Sequence, residues 1–130
     1  MTGDPSLVVV VAAGLSDGGK KAALAFGVAL SALSSGSRVH VFLTLESAVL
    51  GTPSGAEGIH PRGFSAPLSE YIEHFLGLGG LLEVCSSCFE EYCRDSPCGE
   101  DGRPLLLPGT TIRGLGVVAE RAASMPVLTF

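Results

Sequence analysis

Leu7-Val8-Val9-Val10-Val11-Ala12 is an unbroken aliphatic run, four valines long at its centre, close to the start of the chain. A strand with one wet face alternates apolar and polar residues, whereas a strand covered on both faces reads as continuous apolar sequence. The run therefore predicts an inner strand of a parallel sheet, with helices packed on both sides. Immediately downstream, Ser16-Asp17-Gly18-Gly19 supplies helix-capping side chains. Lys20 to Leu33 follows, rich in Ala and Leu, and Gly36 is placed to stop it. Arg38-Val39-His40-Val41-Phe42-Leu43-Thr44 alternates before turning apolar and predicts a second strand. Glu46 to Gly51 then predicts a short helix with a glycine end, which completes a βαβ unit.

Further out the same grammar continues with one interruption. Gly51 to Pro67 mixes four glycines with Pro53, Pro61 and Pro67 and predicts a long surface loop, mobile unless a neighbour covers it. Leu68 to Leu76 resumes helical periodicity, with Leu68, Ile72, Phe75 and Leu76 on one face and Ser69, Glu70, Glu73 and His74 on the other. Gly77, Gly79 and Gly80 end it, and Leu81-Leu82-Glu83-Val84 predicts a third strand. Asp95 to Pro104 is a polar loop, Leu105-Leu106-Leu107 a possible short strand. Thr110 or Thr111 is expected to cap a last helix that carries Ile112, Leu115, Val118, Ala119 and Ala122 inward. Met125 to Phe130 closes the chain as a strand, with Pro126 near its start, where a missing donor is tolerated. Strands beginning near Leu7, Val39, Leu81 and Val127 should lie parallel, since each is separated from the next by a helical crossover.

Length and charge exclude several classes of protein. With 130 residues the chain is read as one domain spanning 1–130, large enough to bury roughly two thirds of its unfolded surface. Thirteen acids face eight scattered bases, with Lys20-Lys21 the only adjacent basic pair, which argues against nucleic acid or anionic lipid as the main partner. The apolar stretch Leu7 to Ala13 is too short for a membrane span, and Met1-Thr2-Gly3-Asp4-Pro5 lacks a positive leader. A cytoplasmic setting is expected, where a cysteine cluster more often means metal or redox chemistry than a disulfide staple.

All four cysteines fall within fourteen residues: Cys85, Cys88, Cys93 and Cys98. Cys85-Ser86-Ser87-Cys88 follows the third strand and opens a helix-compatible stretch, Cys88-Phe89-Glu90-Glu91-Tyr92-Cys93. Ligands and chemistry sit at the carboxyl ends of strands in open α/β sheets, so this turn is well placed to react. Ser87-Cys88-Phe89-Glu90 fits a capping box, with Ser87 as the cap and Cys88 at the first helical position. Thiols react as thiolates, and unpaired N–H groups at a helix start favour the thiolate. Other strand ends should converge on the same edge: Gly14, Ser16, Asp17, Gly18 and Gly19 after the first, Thr44 and Glu46 after the second. Together with Cys85 and Cys88 they form the candidate site, the loop residues lining an anion or substrate pocket.

Competing readings attach to the same residues. Gly14-Leu15-Ser16-Asp17-Gly18-Gly19-Lys20-Lys21 matches a phosphate loop at both glycines and Lys20, but Lys21 stands where a hydroxyl would hold magnesium. A capped helix entry is the favoured alternative. Cys-x-x-Cys is half a zinc knuckle, yet the spacings to Cys93 and Cys98 form no second close pair, and His60 and His74 would have to reach in from afar. No metal or cofactor is expected. Cys93 reads as core packing.

The chain resembles the DsrE/DsrF-like sulfur-relay family, which includes TusD-like and YchN-like members. The likeness rests on the opening strand, Ala23-Leu24-Ala25-Phe26-Gly27-Val28-Ala29-Leu30 with Gly36, and Val39 to Thr44. It continues through Glu83-Val84-Cys85-Ser86-Ser87-Cys88, the Pro108-Gly109 turn before Ile112-Arg113-Gly114-Leu115, and Val127 to Phe130. The resemblance implies a flavodoxin-like three-layer α/β/α sandwich with a mostly parallel sheet of four or five strands, often assembled into trimers or hexamers. It also implies a persulfide-carrying cysteine at Cys85, a second thiol at Cys88, and a protein partner that donates or accepts sulfur. Cys93 and Cys98 lie outside the family pattern. The alternatives are a non-catalytic homo-oligomeric binding module with structural or zinc-bound cysteines, and a dithiol-disulfide oxidoreductase.

Overall fold

The computed structural model describes residues 5–130. Met1 to Asp4, which the sequence reading placed in the domain and searched for a leader, lie outside the described residues. Five strands form one wholly parallel sheet: β1 (Ser6–Val11), β2 (Arg38–Leu43), β3 (Leu81–Cys85), β4 (Thr111–Arg113) and β5 (Val127–Thr129), in the order β4-β3-β2-β1-β5. Helix α1 (Lys20–Ser34) links β1 to β2, α2 (Leu68–Gly77) precedes β3, α3 (Ser86–Tyr92) follows it, and α4 (Gly116–Ala122) links β4 to β5. Winding runs outward from β1 through β4 and then returns to the far side of β1. Right-handed crossovers therefore put α1 and α2 on one face and α4 on the other. This is the three-layer α/β fold expected, with five strands.

Register explains why the two faces differ. Val9, Val11, Val39, Val41, Leu43, Leu82 and Val84 point one way and are all buried, against α1 and α2. There Phe26 of α1 meets Phe75 of α2 edge to face, ring centroids 5.7 Å apart, worth about 1 kcal/mol beyond the area buried. Val8, Val10, His40, Phe42, Glu83 and Cys85 point the other way. This face carries a charge at its centre, and α4, which covers it, buries no residue of its own. The helix is held there by Arg121, whose guanidinium grips Glu83 of β3.

Three expectations are corrected. Leu105-Leu106-Leu107 is not a strand; Leu107 N–H instead donates to Gly51 O at 2.7 Å, tying this segment to the end of the 3₁₀ helix Leu45–Gly51. Thr111 does not cap a helix but begins β4, since two threonines and an isoleucine after the Pro108-Gly109 turn favour extended backbone. Consequently Ile112 and Leu115 are exposed rather than inward, Ala119 and Ala122 are exposed too, and only Val118 of that set is half-buried. The third difference concerns α3, which starts at Ser86 with Cys85 as its cap and no bond from a Ser87 cap. Cys88 accordingly sits in the third helical position, not the first.

The Gly51–Pro67 segment is built from turns and packs through Thr52, Ala56 and Pro61, all buried. Ile59 presses on Gly19, which has φ +83° and where a Cβ would come within 2.6 Å of Ile59 Cγ2, so only glycine fits the start of α1. Among the described residues no helix is long and apolar enough to cross a membrane.

Candidate functional site

Strands β1, β2 and β3 lie side by side, so the segments leaving their carboxyl ends meet on one edge. Ser47, fully buried, fixes the first two: its hydroxyl lies against the Val11 carbonyl and, at 2.7 Å, the Thr44 carbonyl. Gly14 lies under Glu46, close enough that a Cβ there would be 2.8 Å from the Glu46 carboxylate. Thr44 in turn reaches the third segment, with its Oγ1 3.4 Å from Cys88 Sγ. The next residue, Leu45, donates its backbone N–H to the same sulfur at 3.0 Å. It does so from φ +54°, the one non-glycine residue with positive φ among those described.

Cys85 occupies the cap of α3, where a serine or aspartate oxygen usually accepts a helix N–H. Its sulfur lies 3.5 Å from the Ser87 hydroxyl. Burial pushes the Cys85 thiol up, but the Ser87 hydroxyl, the N–H and thiol of Cys88, and the Thr44 hydroxyl together outweigh it and hold its pKa below the ordinary thiol range. Leu45 N–H donates to the Cys88 sulfur, and hydrogen bonding from Cys88 is among the influences that lower the Cys85 pKa. Cys93, fully buried, differs in sign, since burial and negative charge at Cys88 both raise its pKa.

Of the remaining expected residues, Ser16, Asp17, Gly18 and Gly19 form a self-contained turn. Asp17 accepts N–H groups from Gly19 at 2.9 Å and Lys21 at 3.0 Å, filling the donors an outside anion would have used. Burial raises the Asp17 pKa, while the Lys21, Gly19 and Lys20 amides lower it by more. No hydrogen bond or ion pair among the described residues joins this turn to the cysteines. His60 and His74 are exposed, and among the described residues no group of three or more His, Cys, Asp or Glu side chains is placed to hold a metal ion. All four cysteines are free. Cys98 is exposed and lines a cleft of about 420 Å³ with Ser86, Phe89, Arg94, Arg103 and Ile112.

Sequence reasoning missed a charged cluster beneath the thiols. Glu83, 3 % exposed, is bound through both carboxylate oxygens by Arg121, its Oε2 at 2.8 Å from Nη2. His40 Nδ1 stands 3.7 Å from Glu83, and Arg113 Nε 3.9 Å. Burial and the adjacent Arg121 hold the His40 pKa below its usual value despite Glu83, so the ring is neutral at pH 7. The signal was present in Leu81-Leu82-Glu83-Val84: a carboxylate inside an inner strand requires a cation from elsewhere. Leu45 gave no such signal.

No protein-family model and no curated protein matches the sequence of the chain. Among solved structures, the fold is similar to the crystal structure of the ychN protein from E. coli. The TM-score is 0.70 at 18% sequence identity, over 98% of this chain and 100% of that one. The likeness extends over the whole domain and fixes the fold the two proteins share.

Proposed function

We propose that the chain is a sulfur-relay protein of the DsrE/DsrF-like kind, in which Cys85 carries sulfane sulfur as a persulfide. The observation that carries this reading is the place of Cys85 at the end of β3 and the cap of α3, with its sulfur 3.5 Å from the Ser87 hydroxyl and its pKa held below the ordinary thiol range by hydrogen bonding despite burial. An anionic sulfur is what both the attacking thiolate and the loaded persulfide require. The shared fold with the ychN protein supports it more weakly. In loading, the Cys85 thiolate attacks the terminal sulfur of a protonated donor persulfide. A bond from Cys85 to that sulfur forms, the donor S–S bond breaks, and the donor leaves as thiolate. Delivery repeats the step with an acceptor thiolate on the Cys85 persulfide. Cys88 is the resolving thiol: attack of its thiolate on the inner sulfur gives a Cys85–Cys88 disulfide and releases hydrosulfide. A cytoplasmic setting, a donor or acceptor protein as partner, and a homo-oligomeric working form belong to the same proposal.

The test is intact-mass and peptide mapping of the full chain after exposure to a persulfide donor. A gain of one sulfur atom mapping to Cys85 is expected, lost in Cys85→Ser and retained on first loading in Cys88→Ser. Because the Cys85 pKa is lowered and that of Cys93 raised, alkylation of Cys85 should rise with pH through a lower midpoint than that of Cys93. Sulfur on Cys88 or Cys98 instead, with Cys85 unmodified, would refute the assignment.

A further inference from the structure

Cys85 has a neighbour that the chemistry above does not use. In the parallel pairing of β3 with β4, Cys85 is in register with Arg113. Paired residues on adjacent strands project to the same face, and the strands are about 4.8 Å apart, well within the reach of an arginine side chain. Arg113 is thus placed beside Cys85 on the α4 face of the sheet. Its one ion-pair contact among the described residues is loose, 3.9 Å from Nε to Glu83 Oε2, and its side chain is 52% exposed. Glu83 is already taken, since Arg121 occupies both carboxylate oxygens from within the protein. One carboxylate therefore faces two guanidinium groups, and the unspent positive charge is the one in contact with solvent. His40, the third group at Glu83, adds no charge at neutral pH.

We infer that Arg113 is the anion-recognition group of the Cys85 site, and that the sulfur donor taken there is a small anion, such as a carboxylate-bearing persulfide or a thiosulfonate. The inference rests on the reading of Cys85 as the sulfur-accepting thiol. A thiolate and an anionic donor repel each other on approach, and a guanidinium beside the thiolate offsets that repulsion where the two charges meet. With a thiosulfonate, the Cys85 thiolate attacks the sulfane sulfur, the new S–S bond forms as the bond to the sulfonyl sulfur breaks, and sulfinate leaves with the electron pair. Cys85 is left as the persulfide anion, and the two negative charges are conserved.

Iodoacetate and iodoacetamide test this directly. They share the leaving group and the attacked carbon and differ in charge. Rates of Cys85 modification by each, mapped by peptide mass on the full chain, give a ratio that reports the field at the sulfur. Arg113→Gln should lower the iodoacetate to iodoacetamide ratio by about three- to tenfold, leaving the iodoacetamide rate within about twofold. Arg113→Lys should keep most of the ratio, and added salt should shrink the wild-type ratio toward that of Arg113→Gln. An unchanged ratio in Arg113→Gln overturns the inference, as do equal losses with both reagents, or a wild-type Cys85 that iodoacetate does not modify. A falling ratio in a protein that takes up no sulfur at Cys85 would leave Arg113 as an anion-recognition group and remove the sulfur-relay reading instead.

Discussion

Leu45 holds a backbone conformation that an L-residue with a branched side chain rarely adopts, and the N–H it presents to Cys88 is the return. The left-handed region costs a non-glycine residue about 1–2 kcal/mol, and such strain persists only where the surroundings enforce it. Here the enforcement is visible: Ser47 pins the Thr44 carbonyl on one side, and on the other the Cys88 sulfur accepts the Leu45 amide and lies 3.4 Å from the Thr44 hydroxyl. Since the Leu45 side chain is 49% exposed, replacing it sacrifices little burial. Asparagine tolerates this region, so Leu45→Asn is expected to raise stability by about 0.5–1 kcal/mol. Leu45→Pro, which removes the donor and fixes φ near −65°, should cost about 3 kcal/mol. Urea unfolding of the two variants checks both; equal stabilities would show that the backbone here is not strained. The thiols themselves were legible in the sequence as a Cys-x-x-Cys turn after a strand. The donor from Leu45 was not, because it depends on a conformation imposed from 43 residues away.

Between elements, the connection that matters most is the ion pair joining β3 to α4. α4 buries no residue, and Val117 and Val118 are only half-buried, so apolar packing alone does little to seat it. Arg121 and Glu83 supply the anchor, with side chains 15% and 4% exposed. Removing one partner of a buried pair strands the other charge, which costs roughly 3–5 kcal/mol, whereas replacing both with apolar groups is often neutral. Glu83→Ala should therefore destabilise the protein by about 3 kcal/mol, while Glu83→Leu combined with Arg121→Met should cost clearly less than the two single changes added. A double-mutant cycle by urea unfolding measures this, and additive losses would mean the pair is not coupled. The expected inward face of the last helix is not formed, because β4 begins where the sequence places the start of that helix. Ile112 and Leu115 have helical spacing, but the Thr-rich start of β4 takes the first of them into an edge strand.

For the molecule as a whole, apolar side chains stay uncovered near both edges of the sheet. Leu115 is 62% exposed, Leu128 41% and Ile112 40%, and β4 and β5 are the two edges of the sheet. Mean hydropathy is also well above zero. Apolar side chains beside open sheet edges are a surface that a lone soluble domain seldom leaves bare. The proposed homo-oligomer would cover them. Light scattering at micromolar concentration should give a mass that is a multiple of the 13.2 kDa chain, and Leu115→Asp should shift it toward the monomer. A monomeric mass for the unaltered chain contradicts the proposal.

By itself the sequence determined the local grammar: unbroken valines make an inner parallel strand, the spacing of Leu68, Ile72 and Phe75 makes α2, and glycines set where helices stop. It also placed Cys85 at a strand end, since strand length and the cysteine spacing are properties of neighbouring residues. Only the tertiary structure decided the winding order β4-β3-β2-β1-β5, the cation that Glu83 requires, and the arginine that stands beside Cys85. These depend on which strands become neighbours and in what register. Glu83 meets a partner 38 residues away, and Cys85 is paired with Arg113 across a long connection. Periodicity carries no information across such a gap, because the pairing is fixed by the packing of the whole sheet.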